Sequence, residues 1–139
     1  MAVPRPQLPP DPVRDRLKEV RLALLRFHKA LIDAERAEVE RRGGPMSNGH
    51  FLQMLIQDEG LTWLRPFSEL IVRMDEAFAT REPIAEGSAR EFVQQVVALL
   101  APRDDAPHAG RLRELRREGP VLAAHEELTR RVAAFPAGT

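Results

Sequence analysis

Residues 11–45 read DPVRDRLKEVRLALLRFHKALIDAERAEVERRGGP, and this stretch decides the fold. Asp11 is placed to cap a helix whose first position is Pro12, where a missing N–H leaves no bond unmade. Nothing interrupts the run before Arg42. Val13, Leu17, Val20, Leu24 and Leu31 recur at helical spacing and share one face. Gly43-Gly44-Pro45 stops it. Some thirty residues make about 45 Å of helix, long for a chain of this size, so the spacing predicts the spine of a helical bundle.

Outward from the spine, Ser47 or Asn48 can cap a second, shorter helix with Phe51, Leu52, Leu55 and Ile56, ended by Gly60. A third begins between Leu61 and Pro66, because Pro66 must sit in the first turn. Its stripe is Leu64, Phe67, Ile71, Met74 and Phe78, and Arg81-Glu82-Pro83 closes it. A fourth covers residues 88–100 with Phe92, Val96, Leu99 and Leu100, widened by Val93 and Val97. After a breaker-rich loop from Pro102 to Pro107, residues 109–117 form a short Arg-rich helix. Pro120 opens the last helix, with Val121, Leu128 and Val132 inward. No stretch alternates with period two. The expectation is an all-α fold: an antiparallel four-helix bundle with one or two extra short helices.

At 139 residues the chain is sized for one domain, expected over residues 12–135. A Pro-rich leader (residues 1–11) precedes it and a short tail (136–139) follows. Cysteine is absent, which excludes disulfides, thiolate metal sites and a Cys nucleophile. Twenty-one basic residues cancel twenty-one acidic ones, so the long-range field of a general nucleic-acid binder is missing. Only Lys18 and Lys29 are lysine and the other nineteen basic residues are arginine, the bias of a GC-rich bacterial genome. The leader has no apolar core of a secretory signal, and no run of eighteen apolar residues spans a membrane. A cytoplasmic location is expected.

The lead toward chemistry is a set of ionisable residues on stripes that should be apolar. On a wheel centred on Leu24, His28 falls at about +40° and Glu35 at about +20°. Asp75 sits between Ile71 and Phe78, and His125 between Val121 and Leu128. Buried polar groups need partners, so His28, Glu35, Asp75 and His125 are expected to form one polar cluster in the core. Its plainer reading is a hydrogen-bonded pair or network that fixes register. The sharper one is a general acid–base or divalent-metal site on His28, Asp75 and His125, with Glu35 as an outer carboxylate. His28 lies two turns from Glu35, about 10 Å of rise and too far for one ion. No cofactor is otherwise expected. His50 and His108 read as exposed.

Two further groups stand out. Trp63, the only tryptophan, is followed by Arg65 at a helix start, and the pair is a candidate anchor for a partner or anion. The alternative is that Trp63 caps the core while Arg65 pairs with a carboxylate. Arg111, Arg113, Arg116, Arg117, Arg130 and Arg131 form a basic stripe, but Glu114, Glu118, Glu126 and Glu127 interleave with it. Those spacings are surface ion pairs, and no aromatic offers a stacking platform, so nucleic acid is not the expected partner. No Gly-rich phosphate loop, nucleophile elbow, His-Glu-x-x-His or zinc spacing occurs.

The segments LIDAERAEVE (31–40), FLQ (51–53), WLRPFSELI (63–71), Asp75-Glu76 and Ala124-His125-Glu126 resemble a group of small bacterial helical proteins without an established activity. The likeness spans about residues 20–80 and the last helix. Members of that group carry Tyr where this chain has Val39. The resemblance implies an all-α fold and a bacterial source, and no mechanism. The expected role is a small helical binding or interaction module, with self-association through the first or fourth helix as one form. A metal- or small-molecule-dependent activity on the His/Asp/His cluster is the alternative.

Overall fold

The computed structural model describes residues 11–106 and 108–135; most of the leader and the whole tail lie outside them. Among the described residues every regular element is helical. They run α1 (Pro12–Gly43), α2 (Asn48–Gln57), a 3₁₀ turn (Thr62–Leu64), α3 (Arg65–Ala79), α4 (Glu86–Leu100), α5 (Ala109–Leu115) and α6 (Gly119–Ala134). No helix among them is long and apolar enough to cross a membrane.

The helix ends follow from local chemistry. Asp11 accepts from the Arg14 backbone N–H at 2.9 Å and caps α1. Gly44, at φ +84° and ψ 173°, ends it in a conformation that side chains with a Cβ resist. Ser47 caps α2 by accepting from His50 N–H at 3.1 Å. That helix stops at Asp58 rather than at Gly60, because Asp58 turns extended and its Oδ1 takes the Gly60 N–H at 2.7 Å.

The 48 Å or so of α1 is the spine. Helices α3, α4 and α6 each pack on it, and α3 packs on α4. Arg14 Nη2 donates to Phe78 O at 2.5 Å, Arg21 pairs with Asp75, and Phe27 meets Phe67, so α3 runs against the direction of α1. Phe27 also meets His125, and Glu19 meets Arg131, so α6 does the same on another side. One core joins them, with Leu17, Val20, Leu24, Phe27, Leu31, Phe67, Met74, Val96 and Leu128 fully enclosed. Burial of that apolar stripe is what holds long helices together in water. Helix α2 packs on the 3₁₀ turn and meets α1 through Arg36, which lies over the buried Phe51 ring and donates to Asn48 Oδ1 at 2.7 Å.

Candidate functional site

The expected His28–Glu35–Asp75–His125 cluster does not assemble. Asp75 is exposed, its side chain 48% accessible, and it pairs with Arg21 at the surface. The reason lies in which face of α3 its neighbours α1 and α4 enclose. Leu70 and Met74 are buried and pull the inward face away from Leu64, which leaves Asp75 about 80° round from Phe67. His28 is half-buried and stacks on Phe67, with ring centres 6.2 Å apart and planes 12° from parallel. His125 is half-buried against Phe27 at 5.7 Å. Asp75 stands eight residues beyond Phe67 on α3, about 12 Å of rise from the ring that His28 covers. No three His, Asp or Glu side chains among the described residues are grouped to hold a metal ion, so His28, Asp75 and His125 do not form that set.

The imidazoles therefore find aromatic neighbours in place of carboxylates. Burial lowers the pKa of His28. Burial first, then the Arg116 charge, lowers that of His125, with Glu126 opposing. Burial at both sites favours the neutral imidazole.

Glu35 is the one buried charged residue among those described, at 5% exposure. Its Oε1 accepts from Arg111 Nε at 2.8 Å and from Arg111 Nη2, and its Oε2 accepts from the Trp63 indole N–H at 3.2 Å. The hydrogen bond to Glu35 is the leading cause that raises the Arg111 pKa, with burial opposing it. His108, expected to be exposed, is half-buried and stacks on Trp63 at 6.0 Å with planes 9° apart. Trp63 in turn meets Phe67 edge-on at 6.2 Å. One carboxylate on the spine thus ties down the 3₁₀ turn and α5.

Above this ion pair lies an open cleft of about 500 Å³. Its walls are the last turns of α1 (Glu38, Val39, Arg42), the α2–α3 connection (Asp58 to Leu61, with Trp63) and α5 with its lead-in (His108, Arg111). Glu38 is held by Arg41 and by Arg42, the latter at 3.0 Å. Arg111 reaches Glu114 at 3.4 Å besides Glu35.

Arg65 does not pair with a carboxylate. Its Nη2 donates at 2.9 Å to Ile56 O, one of the open carbonyls at the end of α2. The basic stripe disperses as well. Arg116 donates to Leu100 O at 3.1 Å, Arg113 meets Asp104 at 3.3 Å, and Arg130 and Arg131 share Glu127. The hydrogen bond from Arg131 leads in holding the Glu127 carboxyl below its ordinary range.

Sequence reasoning put Arg111 in that stripe and missed it as the partner of Glu35. An Arg on a short helix and a core-facing Glu without an assigned partner were the only available signal. Comparison with protein-family models, with curated proteins and with solved structures gave no match.

Proposed function

We propose that the chain is a helical binding module whose ligand sits in the cleft over the Glu35–Arg111 pair, and that the ligand is a small organic cation with an apolar body. The charge balance of the cleft carries this reading. Both guanidinium groups that line it are engaged, Arg111 by Glu35 and Glu114 and Arg42 by Glu38. Asp58 and Glu59, on the opposite wall, have no ion-pair partner among the described residues. Leu61, Val39 and the Trp63 ring supply the apolar and aromatic surface that an alkylammonium prefers. Glu35 Oε2, with one rather long hydrogen bond, keeps room for a further donor. The longer helices α1, α3, α4 and α6 are read here as an antiparallel bundle, with α2 and α5 as short additions that build the rim.

Trp63 is the only tryptophan and lines the cleft, so its fluorescence reports occupancy directly. The probe is 1,5-diaminopentane, compared at matched ionic strength with 1,5-pentanediol and glutarate. A saturable change with the diamine alone supports the reading. The double variant Asp58→Asn, Glu59→Gln should weaken it by about tenfold or more. An equal response to the diol or to salt, or none to the diamine, would refute it.

A further inference from the structure

Among the described residues, two apolar surfaces that lie open to solvent suit each other in spacing. The first is the outer face of α2. In a chain that is 30% charged, the ten residues Asn48–Gln57 contain no Asp, Glu, Lys or Arg. Leu52 and Ile56, one turn apart on that face, are each 57% exposed. The inner face is already occupied, with Phe51 buried under Arg36 of α1 and the helix packed on the 3₁₀ turn, so the core does not use the outer one.

The second is a groove of about 400 Å³ between α1 and the start of α6. Ala30 and Ala34 form one wall, Pro120, Val121 and Ala124 the other. Arg26, Lys29 and Asp33 stand on its rim. Lys29 is paired with Asp33 at 2.7 Å, whereas Arg26 has no ion-pair partner among the described residues.

We propose that the chain forms a twofold dimer in which α2 of each copy lies in the α1–α6 groove of the other. Spacing supports this occupant. Leu52 and Ile56 are four residues apart, about 6 Å along their helix, as are Ala34 and Ala30 along theirs. With α2 running against α1, Leu52 lies over Ala34 and Ile56 over Ala30. Glu59, just past the end of α2, then reaches Arg26. Each is a charge without an ion-pair partner among the described residues, and the two have opposite sign. The negative end of the α2 dipole adds to the same contact. In this orientation two anchors one turn apart enter a hydrophobic groove, a common mode of helix recognition.

Area favours the reciprocal arrangement. A ten-residue helix is about 15 Å long and 10 Å across, well short of the roughly 800 Å² per partner of a stable interface. Exchange in both directions doubles the contact to roughly 300 Å² per partner, the size of a weak association, and closes the assembly, so no open chain of copies grows. A net charge of zero leaves no long-range repulsion between copies.

The inference shares Glu59 with the ligand reading of the cleft but does not rest on it, and its test is run without amine so that the two fail separately. Cysteine is absent from the chain, so single cysteines can be introduced cleanly. Ile56→Cys and Ala30→Cys proteins, mixed under mild oxidation, should give a covalent dimer of one chain of each kind. Faster cross-linking of Ile56→Cys with itself would show α2 pairing with α2 and overturn the groove. Sedimentation equilibrium of the unlabelled chain should show a dimer that dissociates on dilution. Leu52→Glu with Ile56→Glu, both exposed and outside the core, should raise the dissociation constant by about a hundredfold. The charge swap Arg26→Glu with Glu59→Arg should restore what either change alone weakens. A monomer at every concentration, or a dimer indifferent to the α2 changes, would end the proposal.

Discussion

Arg111 and Glu35, 76 residues apart in sequence, form the buried ion pair that fastens α5 to the spine, with Nε 2.8 Å from Oε1. Breaking a buried pair from one side leaves a charge with neither water nor counter-ion. Arg111→Met should therefore cost about 2–4 kcal/mol, the lower part of the range because Arg111 is 27% exposed on its side chain. Glu35→Met combined with Arg111→Met should be less damaging than Arg111→Met alone. Urea unfolding of the four proteins of the cycle measures this, and strict additivity would contradict it. Amide exchange over residues 109–115 should rise most in the single variants.

His28 and His125 predict acid sensitivity. Their folded pKa values lie below the ordinary value of about 6.5, so the unfolded chain takes up more protons in that region. Stability from these neutral imidazoles is full above about pH 6.5 and is lost as the pH falls toward their folded values. The faces that meet them are Phe67 for His28, and Phe27, Arg116 and Glu126 for His125. Melting temperature should fall between pH 7 and pH 5.5, before ordinary carboxylates titrate. Replacing both histidines with Gln should flatten that slope; an unchanged slope would assign it elsewhere.

Phe67 and Asp75 lie on the same helix and should respond oppositely to substitution. Phe67 is fully enclosed and touches Phe27, His28 and Trp63, so Phe67→Ala should cost about 3–5 kcal/mol. Asp75 pairs with Arg21 in water, and Asp75→Asn should change stability by less than about 1 kcal/mol. Denaturant midpoints compare the two directly. A large loss in Asp75→Asn would return that residue to the interior.

Gly44 offers a test of backbone geometry free of packing. A Cβ there would meet nothing within 4 Å, so any penalty comes from the φ of +84° alone. Gly44→Ala should destabilise by about 1–3 kcal/mol. Gly43→Ala, also in open space but helical, should be neutral or slightly stabilising, as chemical denaturation of both variants would show.

The elements of this fold are written locally and could be read so. Asp11 with Pro12, Ser47, Pro66 and Pro120 mark helix starts by the bonds they make or lack, and Gly44 marks a stop through its free φ. Apolar spacing gave the inward faces of α1 and α6, because a 3.6-residue period is a property of one helix alone. It misjudged Asp75, whose position on the wheel depends on where the centre of the buried stripe falls. That centre is set by α1 and α4, not by α3.

Sequence by itself therefore determined the helices, the caps that start α1 and α2, and the inward aim of Glu35. Only the tertiary structure decided what Glu35 meets, that His28 and His125 rest on phenylalanine rings, and that α2 turns Leu52 and Ile56 to solvent. The reason is physical: periodicity and capping act over a few residues, whereas the neutralisation of a buried charge depends on which distant segment the packing of the spine brings within hydrogen-bond reach.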